Sequence, residues 1–122
     1  MKHLIDPMDL SREETDQIIA MAEDIIAHRE KYQDLMAHRK LATLFYEPST
    51  RTRLSFTSAM MELGGNVLGF SDAKSSSVSK GETVQDTIRV VGCFADVIAM
   101  RHYIEGAPLA AAEVSKVPII NA

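Results

Sequence analysis

The sequence has no tryptophan, a single cysteine, four prolines and six glycines, and aromatic residues make up 6% of its 122 positions. Cys93 alone cannot close an internal disulfide, so an apolar core must hold the fold, and a reducing cytoplasm is the expected compartment. So few glycines and prolines leave no room for a disordered linker. A basic surplus is also missing. Thirteen Lys+Arg face 17 Asp+Glu, a net charge of -4, which argues against a nucleic-acid surface. Nowhere does the chain approach the ~18 uninterrupted apolar residues of a membrane helix. The N-terminus, Met1-Lys2-His3-Leu4-Ile5-Asp6-Pro7, meets acid at once and carries no apolar signal core.

Familiar catalytic motifs are missing too. There is no G-x-x-x-x-G-K-[ST] phosphate loop. Gly64, Gly65 and Gly69 do not make G-x-G-x-x-G, and they follow an expected helix instead of opening one. No His, Cys or carboxylate pair has metal-ligand spacing, so no metal site is expected, and His28 and His38 stand isolated. Ser77-Val78-Ser79-Lys80 matches S-x-x-K, but no S-D-N or K-T-G follows, and so short a pattern arises by chance. Cys93, beside Phe94 on a helix face, reads as core and not as a nucleophile.

What remains is an ordinary globular composition, 46% apolar and 25% charged, with length for one domain. Ser11 and Glu14 form an S-x-x-E capping box, and Ile18, Ile19, Ala22, Ile25 and Ile26 follow at helical spacing, predicting an amphipathic first helix. Its acids read as a solvated outer face. Leu41 to Tyr46 reads as a buried strand that Pro48 stops. A helix from Thr50 or Arg51 carries Leu54, Phe56, Ala59, Met60 and Leu63, and Gly64-Gly65 ends it. Asn66 to Phe70 predicts a second strand, 71–81 a polar loop, and Thr83 to Ala95 a helix with Val84, Thr87, Ile88, Val91 and Phe94 on one side. Asp96 to Met100, Gly106 to Val114 and Val117 to Ile120 complete a strand, a helix and a fourth strand. Such alternation predicts an α/β fold, a doubly wound parallel sheet of about four strands flanked by helices. The chain stops on the apolar run Val117 to Ala122, which suggests that it is incomplete.

In doubly wound sheets ligands bind beyond the carboxyl ends of the strands. Three loops occupy those ends: Glu47 to Arg53, the stretch from Lys74 to Lys80, and Arg101-His102. Of the basic residues after Leu41, these loops take Arg51, Arg53, Lys74, Lys80 and Arg101, leaving only Arg89 and Lys116 elsewhere. The edge is therefore basic and hydroxyl-rich in an acidic chain. Ser49-Thr50-Arg51-Thr52-Arg53 sits at a helix start, where unpaired backbone N–H groups favour anions. Three hydroxyls add donors, and Arg51 adds a fork suited to phosphate oxygens. The competing reading makes Ser49 or Thr50 a simple cap and the arginines surface charges. Two arginines, a preceding strand and Arg101 on the same edge favour phosphate binding.

The run Phe45-Tyr46-Glu47-Pro48-Ser49-Thr50-Arg51-Thr52-Arg53-Leu54-Ser55-Phe56, continued by Ala59-Met60 and Leu63-Gly64-Gly65, resembles the carbamoyl-phosphate signature of the transcarbamoylases. Ser77 to Thr83 with Asp86-Thr87, and Met100-Arg101-His102 followed by Glu105-Gly106-Ala107, resemble the aspartate-specific branch of that family. Ornithine-specific members share S-T-R-T-R but usually lack the Lys80-Gly81-Glu82 equivalent.

The resemblance implies carbamoyl transfer from carbamoyl phosphate to the α-amine of L-aspartate, a step of pyrimidine biosynthesis, with no cofactor. Ser49, Thr50, Arg51 and Thr52 would hold the phosphate, and Arg51 would stabilise its departing charge. Thr52 and Arg101 would polarise the carbamoyl carbonyl. Ser77 and Lys80 would reach a neighbouring subunit's site, since family members are trimers with shared sites. Glu47 would lie at a domain interface, and Arg53 would pair structurally with an acid. Some members associate with separate regulatory chains. The resemblance also makes residues 1–122 a carbamoyl-phosphate-binding domain cut at its fourth strand. The segment supplying a histidine and a glutamine, and the aspartate-binding domain, would be missing. Two alternatives stand beside this: a carbamoyltransferase for ornithine or a related amine, and a non-catalytic anion-binding or trimerisation module.

Overall fold

The computed structural model describes residues 1–71 and 81–122. A 3-10 turn over Pro7–Asp9 leads into α1 (Arg12–Ala27) and the one-turn α2 (Arg29–Tyr32). Strands and helices then alternate: β1 (Lys40–Phe45), α3 (Thr50–Glu62), β2 (Asn66–Phe70), α4 (Val84–Val91), β3 (Val97–Arg101), α5 (Ala107–Val114) and β4 (Ile119–Asn121). The strands form a four-stranded sheet, all parallel, in the order β2-β1-β3-β4. This is the expected doubly wound α/β architecture. The chain steps outward from β1 to β2, then returns past β1 to β3. The direction of winding therefore reverses between β1 and β3, and a crevice opens at their carboxyl ends.

Alternation of side chains explains the unbroken apolar run of β1. Leu41, with Ala99 of β3, faces Met60 and Phe56 of α3. Ala42, Leu44 and Tyr46, with Ile98 and Met100, face Ile88 of α4 and Ala111 of α5. Both faces are covered, so no polar alternation survives. Gly69 in β2 has φ 131, and a Cβ there would collide with the backbone of Thr43 on β1. Only glycine lets the two strands lie this close. Leu4 adds a bridge beyond β4, its N–H donating to Ile119 O at 2.8 Å.

Four expectations need correcting. The capping box of α1 is present, with Glu14 N–H donating to Ser11 Oγ at 3.1 Å, but its apolar stripe is not buried. Ile18 and Ile19 are 52% exposed and Ile26 is 72% exposed. The helix does not lie on the sheet. It meets α3 only near its C-terminal end, where Ile25 and Ile26 face Ala59 and Leu63 across an open groove of about 390 Å³. At that corner Asp24 accepts hydrogen bonds from Tyr32, Lys31 and His28, which hold its carboxyl down to about 2. His28 is thus not isolated. Finally, α4 ends at Val91, not Ala95, and residues 92–95 close as turns through Gly92 N–H to Ile88 O and Phe94 N–H to Val91 O. Cys93 and Phe94 consequently face outward instead of joining the core.

Candidate functional site

The site begins where β1 stops. Pro48 cannot extend the ladder, and the chain turns directly into α3 with Ser49 at the N-cap. Ser49 makes no side-chain capping bond. Arg53 N–H is the first to reach back into the helix, donating to Ser49 O at 3.0 Å. The amides of Thr50, Arg51 and Thr52 therefore precede the helical ladder, and among the described residues no side chain caps them at the positive end of this 13-residue helix. The Ser49 hydroxyl instead accepts a hydrogen bond from Arg101 Nη1.

Arg101 comes from the end of β3, in register opposite Phe45. Its own carbonyl accepts Tyr46 N–H at 2.9 Å. Nε donates to Ala122 O at 2.9 Å, and the Glu47 carboxylate lies 3.7 Å away. Three elements thus aim one half-buried guanidinium at the crevice where the winding reverses. A guanidinium has five N–H donors, so the two bonds it donates among the described residues leave capacity for an anion. Thr52 is half-buried while Thr50 and Arg51 are exposed. Among the described residues no carboxylate pairs with Arg51.

The structure therefore brings together Glu47, Ser49, Thr50, Arg51, Thr52 and Arg101 at one edge. Arg53 pairs with no acid among the described residues and lines an open depression of about 650 Å³ along β2, with Thr43, Thr57 and Met61. Ser77 and Lys80, and nearly all of the polar loop expected over 71–81, lie outside the described residues. Just beyond them, Thr83 caps α4 by accepting Asp86 N–H at 3.1 Å, and Glu82 accepts the Thr87 hydroxyl at 2.5 Å.

Sequence reasoning missed a group of rings behind the site. Tyr46 packs edge-on against Phe70 with centroids 5.2 Å apart, and lies 4.5 Å from the ring of His102. His102 in turn stacks on Tyr103 at 4.6 Å. Tyr46 is 7% exposed, and its hydroxyl has no hydrogen-bond partner among the described residues. Burial pushes its pKa up. His102 Nδ1 accepts Ile104 N–H at 3.0 Å, and burial pushes the imidazole pKa down, against the pull of Glu47. The available signal was positional: every one of these rings sits at or just past a strand end.

Open helix amides, three hydroxyls and two guanidiniums suit a small dianion and offer a leaving phosphate compensating charge. Against known proteins, a family model for the aspartate/ornithine carbamoyltransferase carbamoyl-P binding domain matches residues 2–122. The aspartate carbamoyltransferase catalytic subunit of Lachnoclostridium phytofermentans is 58% identical over 122 residues, which cover 100% of this chain and 40% of that protein. The catalytic subunit of M. jannaschii aspartate transcarbamoylase superposes with a TM-score of 0.91 at 51% identity, covering 100% of this chain and 42% of that one. Aspartate transcarbamoylase from Trypanosoma cruzi, in complex with carbamoyl phosphate and aspartate, gives 0.91 at 36% identity, covering 99% and 40%. The chain thus spans about 40% of the length of the curated relative it matches. With the fold, the winding reversal and the family model in agreement along its whole length, the chain belongs to the aspartate/ornithine carbamoyltransferase family, residues 2–122 corresponding to the carbamoyl-P binding domain.

Proposed function

We propose that this chain is the carbamoyl-phosphate-binding domain of an aspartate carbamoyltransferase catalytic subunit. The reaction passes the carbamoyl group to the α-amine of L-aspartate, giving N-carbamoyl-L-aspartate and phosphate in pyrimidine biosynthesis. The amine nitrogen attacks the carbamoyl carbon, the bond from that carbon to the phosphate oxygen breaks, and the amine gives up a proton. No protein nucleophile is required. The protein must orient two anions, polarise one carbonyl and stabilise departing phosphate. Ser49, Thr50, Arg51 and Thr52 with the α3 amides hold the phosphate together with the remaining donors of Arg101, and Thr52 and Arg101 also polarise the carbonyl. Lys80 and Ser77 serve a neighbouring subunit of a cytoplasmic homotrimer, and Glu47 contributes to closure against a second domain. Regulatory chains are further partners open to such an assembly.

One observation carries this reading. Ser49 leaves its helix uncapped and is engaged by Arg101 across the winding reversal. Aspartate is favoured over ornithine because the whole-chain relative at 58% identity is an aspartate enzyme. Formation of N-carbamoyl-L-aspartate by the complete gene product tests the proposal. Arg51→Ala should lower turnover at least about 100-fold, with assembly unchanged by sedimentation. Residues 1–122 alone should bind phosphate weakly and not turn over. Turnover with ornithine in place of aspartate would overturn the substrate assignment, and loss of assembly in Arg51→Ala would favour a structural module.

A further inference from the structure

His102 follows Arg101 directly, yet its contacts are with the protein. Its Nδ1 takes Ile104 N–H at 3.0 Å, closing a turn on the main chain two residues on, as Asn and Asp side chains do in Asx-turns. Its ring lies against those of Tyr46 and Tyr103, with centroids 4.5 and 4.6 Å away. Tyr46 immediately precedes Glu47, and its N–H donates to the carbonyl of Arg101. The ring stack therefore clasps the ends of β1 and β3 from behind, while Ser49 and Arg101 project from those ends in front.

We propose that His102 is a positioning residue for Arg101, locking the turn after β3 and bracing the end of β1 as a neutral imidazole, and releasing both on protonation. This deepens the reading of Ser49, Arg51 and Arg101 as a phosphate site and rests on it. An imidazolium carries N–H at both nitrogens, so Ile104 N–H would face a donor instead of an acceptor. The new charge would also draw the Glu47 carboxylate, now 3.7 Å from Arg101. Among the described residues, the groups facing His102 are Tyr46 and Glu47 from the β1 side and Glu82 from the start of α4, across a cleft of about 330 Å³, with Tyr103 and Arg101 beside it in the chain. Burial among the rings opposes the proton, while Glu47 favours it.

Two variants of the complete gene product separate the acceptor from the ring. His102→Asn keeps an acceptor near the Nδ1 position and cannot titrate, whereas His102→Phe keeps a ring without an acceptor. Calorimetric binding of inorganic phosphate is compared between about pH 8 and about pH 5.5 as the ratio of parent to His102→Asn, which cancels the titration of phosphate itself. The parent should lose about 3- to 10-fold relative to His102→Asn on acidification. His102→Phe should bind about 10-fold more weakly at both ends, with unfolding temperatures of all three within a few degrees at the alkaline end. A ratio that stays constant across the range overturns the proposal, as does a His102→Phe variant that binds like the parent. Failure of the parent to bind phosphate at the alkaline end overturns the phosphate site itself, and this proposal with it.

Discussion

Ser49 occupies a position where a serine ordinarily stabilises its own helix. A capping hydroxyl there contributes about 1 kcal/mol. This one makes no capping bond and serves Arg101 instead. Ser49→Ala should therefore move the unfolding free energy by less than about 0.5 kcal/mol, while phosphate affinity should fall about 10-fold as Arg101 loses its partner. Denaturant titration beside phosphate titration reads both quantities. A loss of stability near the full value of a cap, with affinity retained, would show that the hydroxyl caps α3 in solution. The candidate anion site was legible at this scale because arginines and hydroxyls cluster where β1 ends and α3 begins. The bond between Ser49 and Arg101 was not legible. It depends on β1 lying beside β3, and nothing in the spacing of residues 49 and 101 states that neighbourhood. The stacking of His102 on Tyr46 escaped for the same reason.

Elements with strong punctuation read correctly, and those without it did not. Pro48 and Gly64-Gly65 bracket α3, and its observed span of Thr50–Glu62 follows from them. β2 also runs as expected, Asn66–Phe70. α4 was read too long because Val91 and Phe94 continue its apolar spacing, with only Gly92 to mark the stop. The brief α2 shows no period to detect. Gly69 in β2 looks unremarkable in sequence, yet its φ of 131 and its approach to Thr43 make it the most constrained residue of that strand. Gly69→Ala should cost more than about 2 kcal/mol, through backbone strain and separation of β1 from β2. A shift in denaturant midpoint measures it, and an unchanged midpoint would contradict the close approach.

For the molecule as a whole, the core lies in the sheet and its flanking helices α3, α4 and α5, while α1 stands apart. Its spacing forecast an amphipathic helix correctly, but spacing cannot say whether a partner for the apolar face exists in the same 122 residues. The contrast is measurable. In this chain Ile19→Lys should change stability by less than about 0.5 kcal/mol. Ile88→Ala, at a fully buried position between the sheet and α5, should cost about 2–5 kcal/mol. Comparable losses from the two would mean that α1 packs more closely than described. The winding order carries a last consequence. The groups that meet at the anion site, Ser49 and Arg101, stand 52 positions apart and are joined only through adjacent strands. No contiguous piece lacking either strand can inherit the site. Recognition here is all-or-none with respect to the sheet, so an anion that binds is also a witness that β1 and β3 have found one another.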